Sequence, residues 1–239
     1  MIDSFVRFGP AHINAIALTV AIPLLLTAIV RLDHTSATAR IVNALFAATL
    51  ILNKIISLVL LSRYGELTIE SLVPMYLCDW AAIAVVITLV WPNQWTYELC
   101  YFWSLGGTLQ ALLTPDLRYG FPHTQFISFF VEHGGIIAAV VYMTLTTGMR
   151  PVPMSIVRVL GWSAVYFVAA LLVNLMLDTN FGYLRAKPEQ PSLMDYMAPW
   201  PYYLAQLVLL AIIFCLVCYL PFFIIDRLRS RGRVPDVRI

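Results

Sequence analysis

Cys78 and His133 are the side chains of this sequence best suited to covalent chemistry. A thiol with a nearby imidazole is the minimum for nucleophilic acyl transfer. The imidazole takes the thiol proton, and the thiolate attacks an ester carbonyl to give a thioester. Cys78 lies in "YLCDW", residues 76–80, near the start of a long apolar run, and Asp79 follows it directly. His133 follows Glu132 in a second such run. Each is about five to seven residues from the same end of its run, so ~8–10 Å in if both runs are helical. Asp79 falls about 100° round the helix from Cys78. That direction suits a partner on another segment, such as Lys54, better than it suits orienting His133. Alone, Cys78 reads as a small core residue; the adjacent carboxylate and the histidine at equal depth are what raise the chemical reading.

The elements that must position these residues are membrane helices. The chain has 239 residues, 61% hydrophobic and only 12% charged, with a mean hydropathy of +0.82. Soluble domains carry roughly 25% charged residues, so this chain has too little polar surface to cover itself in water. Seven apolar windows of roughly 18 to 24 residues each reach the length needed to span a bilayer. They are Ala11–Val30, Ile41–Leu61, Val73–Val90, Trp95–Leu113, Phe126–Thr146, Ile156–Met176 and Tyr202–Ile225. Pro92, Pro115, Pro122, Pro151 and Pro153 fall in the gaps, where helix ends are expected. The expected fold is an all-α membrane protein, a seven-transmembrane helix bundle over residues 1–225 with a basic tail over 226–239. The first window is too long for a signal sequence and reads as the first membrane helix.

Lys and Arg in the connections set the orientation. Arg7, Arg63, Arg118, Arg185 and Lys187 lie on one side; Arg31, Arg40, Arg150, Arg158, Arg227, Arg229, Arg231, Arg233 and Arg238 lie on the other. The second side is the cytoplasmic one by this rule, which puts the N-terminus outside and the C-terminus inside a plasma (inner) membrane. Asp3, Glu66, Glu70, Asp116, Asp178, Glu189 and Asp195 all join the outer side. A net charge of +2 and the absence of any nucleic-acid motif exclude a nucleic-acid partner; membrane lipids are the expected one. Cys78, Cys100, Cys215 and Cys218 all lie inside apolar stretches, so neither a disulfide framework nor a zinc site is expected.

In this frame the polar residues within the windows gather in one leaflet. His12, Asn14, Lys54, Cys78, Asp79, Gln110, Thr114, Asp116, His123, Gln125, His133, Asn174, Asp178 and Asn180 all fall toward the outer side, while the inner halves hold mainly Asn43 and Glu98. Each ionisable group in the hydrocarbon core costs at least ~2.5–3.5 kcal/mol, so the set implies a polar cavity opening outward. Cys78 and His133 are its catalytic candidates. Asp79, Gln110, Asp116, His123, Asn174, Asn180 and Lys187 are its substrate-binding candidates: Gln110 or Asn174 to donate to an oxyanion, His123 with Lys187 or Arg185 to hold a headgroup phosphate. His123 and His133 are ten residues apart, ~15 Å on a helix, and cannot share a metal if both are helical. No metal and no cofactor is expected, and no P-loop, GxGxxG, HExxH or GxSxG motif is present.

Four stretches carry a family resemblance: "YLCDWAAI", "YFWSLGGTLQALLTPDL", "FPHTQFISFFVEHG" and "TNFGYLRAKPEQPSLMDYMAPWPYYL". Together, over about Tyr76 to Leu204, the chain resembles the YwaF-like integral membrane proteins of bacteria and is similar, more distantly, to the eukaryotic transmembrane protein 164 family. The latter resemblance implies movement of fatty acyl chains between phospholipids through a cysteine, with Cys78 as nucleophile and His133 as its partner. The eukaryotic pattern has a histidine after the cysteine where this chain has Asp79. Two functions therefore follow from the sequence: a phospholipid acyltransferase or transacylase, or a seven-helix receptor, sensor or transporter for a small polar ligand. Asp79, Asp116 and Asp178 would matter most in the second.

Overall fold

The computed structural model describes residues 4–33 and 36–231. Asp3, Arg233 and Arg238 lie outside the described residues, as does most of the expected basic tail. Helices carry the fold: α1 (Pro10–Asp33), α2 (Ser36–Tyr64), the single turn α3 (Ile69–Leu72), α4 (Leu77–Val90), α5 (Gln94–Trp103), α6 (Leu109–Leu113), α7 (Thr124–Thr146), α8 (Pro153–Leu177) and α9 (Tyr202–Arg231). Six helical stretches are long and apolar enough to cross a membrane: α1, α2, Ile69–Val90, α7, α8 and Tyr202–Arg229. The fourth apolar window is helical throughout but not uniform, because a π turn over Ser104–Thr108 joins α5 to α6.

Local chemistry explains where the helices start. Thr68 and Ser71 form a reciprocal capping box on α3. Pro74 then holds Val73 extended (φ −89°, ψ 117°), as a residue before proline must be. The helix resumes only at Leu77, so the third window begins four residues later than its apolar run suggests. Asp79 closes this new N-terminus by accepting the Tyr76 backbone N–H at 3.0 Å. Asn93 caps α5, His123 caps α7, and Pro153 sits in the first turn of α8, where its missing N–H costs nothing. Pro23 and Pro221 lie inside α1 and α9 without ending them.

α7 is the central helix, packed by α1, α2, α4 and the π turn. Its glycines allow this. A Cβ on Gly134 would come 2.6 Å from Thr19 Oγ1 of α1, and one on Gly135 would come 3.1 Å from Leu50 of α2. Small residues of this kind let membrane helices approach closely, where no hydrophobic force between helices is available.

Contacts sort the connections into two ends. At one, Phe5 N–H donates to Arg118 carbonyl, Arg118 pairs with Glu189, Arg7 bonds Pro191, and Asn180 N–H donates to Glu70. At the other, Asn43 donates to Leu89 carbonyl, Arg31 to Leu145 carbonyl and Gln94 to Arg150 carbonyl, while Arg150 grips Asp226 through both carboxylate oxygens. The segment Gln94–Leu113 joins the two ends. Tyr97 bonds Thr144 near the last turn of α7, and Leu112 carbonyl accepts from His12 in the first turn of α1.

Candidate functional site

Cys78 is the second residue of α4, not a residue well inside a helix, because Pro74 delays the start. It is half-buried and free. Asp79 is 5% exposed and doubly engaged: Oδ2 takes the Tyr76 N–H, and Oδ1 takes the Lys54 ammonium of α2 at 2.8 Å. The Lys54 partner expected from the sequence is therefore the one found. One carboxylate both ties α2 to α4 and fixes the turn that bears the thiol.

His133 reaches the same neighbourhood from α7, which packs on both α2 and α4. Its ring is 7% exposed and stacks on Phe129, centroids 4.0 Å apart. Nδ1–H donates to the Phe129 carbonyl at 3.0 Å. A carbonyl can only accept, so this bond fixes the tautomer and leaves the lone pair on Nε2. Cys78 and His133 share their charged surroundings: Asp79, Glu132 and Lys54 act on both. Glu132 is half-buried beside His133, with Lys54 as its nearby cation. No hydrogen bond joins Cys78 to His133 in this structure. Gln110, on α6, is half-buried and its carboxamide makes no hydrogen bond.

The remaining sequence candidates are occupied elsewhere. Asn174 is fully buried at the end of α8: its Oδ1 accepts from Phe181 N–H and Thr179 hydroxyl, and its amide donates to Phe181 carbonyl. Asn180 accepts from the Arg185 and Ala186 N–H groups and donates to Ala186 carbonyl. Arg185 pairs with Asp178 at 2.6 Å. Lys187 donates to Met197 carbonyl and lies 5.8 Å over the Tyr203 ring. His123 accepts the Gln125 N–H and packs on Tyr119, and Asp116 accepts from Tyr183 at 3.3 Å. Burial, reinforced by the Asp116 carboxylate, pushes the Tyr183 phenol well above its ordinary value. His12 is buried with both ring nitrogens bonded, to Phe8 N–H and Leu112 carbonyl, whereas Asn14 is exposed.

Asn174, Asp178, Asn180, Arg185 and Lys187 thus build the loop of residues 178–201 into a fixed cap. Phe181 and Tyr183 of that loop lie against Tyr76, with ring centroids 5.2 and 6.5 Å apart, directly over the start of α4.

Two polar arrangements are added by the structure, the pairing of Glu98 and the π turn. Glu98, 1% exposed, takes two hydrogen bonds from Arg158, at 2.7 and 2.5 Å, and a third from Gln94. Arg158 belongs to α8 but spans its second turn, from which a long side chain can reach inward. The second feature is the π turn, where Ser104 and Thr108 are buried with hydroxyls that have no partner. Its only trace in the sequence is Gly106-Gly107 interrupting an apolar helix. Among the described residues no group of three or more His, Cys, Asp or Glu could share a metal ion.

No curated protein and no solved structure matches the chain. The family model of the TMEM164 family, in contrast, matches residues 7–219, nearly the whole of the helical bundle just described. On that match the chain belongs to the TMEM164 family of multi-pass membrane proteins.

Proposed function

We propose that the chain is a membrane-embedded acyltransferase that moves a fatty acyl chain from one phospholipid to another through a thioester on Cys78. What carries the reading is the meeting of α4 and α7: a half-buried thiol and an imidazole with a free Nε2, held among the same three charged side chains. His133 Nε2 takes the thiol proton. The sulfur then attacks the ester carbonyl carbon, a C–S bond forms, and the C–O bond to glycerol breaks. The departing alkoxide takes the proton back from His133, giving a lysophospholipid. A second lysophospholipid reverses the steps with its own hydroxyl, so no co-reactant is needed. The first turn of α4 supports the chemistry, since a helix N-terminus favours negative charge. Gln110, with its carboxamide free, is the better placed of the two proposed oxyanion donors, because the Asn174 side chain is fully buried and tied to Phe181 and Thr179.

A receptor or transporter for a polar ligand gains less support. Asp79, Asp116 and Asp178, the carboxylates it would rely on, are engaged by Lys54, Tyr183 and Arg185. The motifs around Cys78, Gln110, His133 and Asn180 also favour a likeness to the YwaF-like membrane proteins of bacteria. We further infer seven crossings: the segment Gln94–Leu113 has 20 residues, about 30 Å of helix, and its contacts run from one end of the bundle to the other. The arginine distribution supports an outer N-terminus, a cytoplasmic basic tail from residue 226 and residence in the plasma membrane.

The test is transfer of a fluorescent acyl chain from phosphatidylcholine to a lysophospholipid in vesicles containing the purified protein. Cys78→Ser and His133→Gln should each reduce transfer to background. Undiminished turnover in Cys78→Ser would falsify the mechanism.

A further inference from the structure

Six threonines of the chain share a hydrogen-bonding pattern that the two hydroxyls of its π turn lack. Thr19, Thr88, Thr114, Thr144, Thr146 and Thr147 each donate the side-chain hydroxyl to the carbonyl four residues earlier, at 2.7 to 3.0 Å. This is the usual way a buried hydroxyl is satisfied in a helix. Ser104 and Thr108, 0% and 2% exposed, make no such bond and no other. At Thr108 the π turn widens the backbone ring, and the Ser104 carbonyl four residues back accepts instead from the Leu109 N–H five residues on; Ser104 opens the turn, and its own backbone N–H still bonds the Cys100 carbonyl. Leaving a buried hydroxyl unpartnered costs about 1–3 kcal/mol, and here two occur four residues apart, on one face of one turn. Thr27, at the other end of α1, is the remaining buried hydroxyl without a partner among the described residues.

The π turn also lies between the two halves of the proposed site. On one side Gly107 meets Leu77, the neighbour of Cys78, so closely that a Cβ would come 2.9 Å from the leucine Cδ2. On the other, Leu112, one turn beyond Thr108, packs with Phe130 and Ile137 of α7. These residues flank His133 on its own face of that helix, three positions before it and four after. The turn itself packs on both α4 and α7.

We propose that the hydroxyls of Ser104 and Thr108 are hydrogen-bond donors for the carbonyl oxygen of the ester undergoing transfer. This rests on the acyl-transfer reading and adds a second source of oxyanion stabilisation to Gln110. As the Cys78 sulfur bonds the carbonyl carbon, the carbonyl π pair moves onto oxygen, and the two hydroxyls, idle in the resting protein, rotate to donate to that charge. On collapse the pair returns and the C–O bond to glycerol breaks. The π turn thereby carries two donors without a partner in the resting protein, available to the transition state.

The experiment compares two single-turnover reactions of Cys78 in detergent micelles. Acylation by p-nitrophenyl decanoate passes through an oxyanion; alkylation by N-decyl iodoacetamide does not. Ser104→Ala and Thr108→Val should each slow acylation, together on the order of 10²-fold, the scale of losing an oxyanion donor. Alkylation should stay within about twofold on the same reasoning, and Thr108→Ser should restore acylation. Equal slowing of both reactions would mean that the hydroxyls only shape the sulfur's surroundings, and unchanged acylation in the double variant would mean that they do nothing; either result overturns the assignment. A wild-type protein alkylated at Cys78 but never acylated would sink the acyl-transfer reading itself, and this assignment with it.

Discussion

Lys54 is the residue on which the geometry around Cys78 turns. It pairs with a carboxylate that is 5% exposed while remaining 38% exposed itself. Removing it strands the charge on Asp79, and breaking a buried pair from one side is far more damaging than replacing both partners. Because Lys54 is only half-buried, Lys54→Met should cost about 1–3 kcal/mol, below the range for fully buried pairs. Adding Asp79→Asn should recover more than half of the loss, since the amide oxygen can still accept the Tyr76 N–H. Thermal unfolding in detergent reads both variants, and a double variant no more stable than Lys54→Met would refute the pairing argument. This pair was legible in the sequence: two opposite charges in lipid-length runs have few alternatives to each other. The anchoring of His133 on Phe129 was not, because it depends on a rotamer and a stacked ring. The engagement of Asn174 and Asn180 was equally hidden, since a polar residue at a helix end reads the same whether it faces a cavity or its own loop.

Helices were readable wherever apolar runs were long, and misread where local chemistry interrupts them. Pro74 shows this for α4. The run from Val73 looks continuous, yet the backbone cannot become helical until Leu77, and Cys78 moves from the helix body to its first turn. The π turn is harder to read, because Gly-Gly within a helix signals close approach of a neighbour equally well, and Gly107 does show such an approach. Which glycine meets which helix needs the structure. Gly134 offers the sharpest test, since the atom its Cβ would strike is the Thr19 hydroxyl, whose removal leaves the nearest α1 atom at 3.8 Å. Gly134→Ala should therefore destabilise by about 1–3 kcal/mol, as overpacking does. Thr19→Ala on that background should relieve most of the cost. If the double variant melts no higher than Gly134→Ala alone, backbone contacts and not the threonine set the α1–α7 distance.

Composition pointed to a membrane bundle, the charge asymmetry to a cytoplasmic C-terminus, and length to a fourth window that crosses with the other six; whether it crosses turns on its contacts. The contact pattern bears on that question at the scale of the whole molecule. The N-terminal segment, α3, the α6–α7 connection and the loop of residues 178–201 touch one another, and the α7–α8 connection meets α5 and α9 at the opposite end. A seventh crossing by Gln94–Leu113 would place residues 66 and 189 on one side of a bilayer. With six crossings they would be on opposite sides. Single cysteines at Glu66, Glu189 and Gly148, in a background with the four native cysteines replaced, separate the cases with a membrane-impermeant maleimide on intact cells. Glu66→Cys and Glu189→Cys should both be labelled from outside, and Gly148→Cys only after permeabilisation. Labelling of residue 66 without residue 189 would give six crossings and put the two connections on opposite sides. Labelling of residue 148 alone would invert the protein, moving Cys78 and His133 to the cytoplasmic leaflet and with them the leaflet from which any lipid substrate must come.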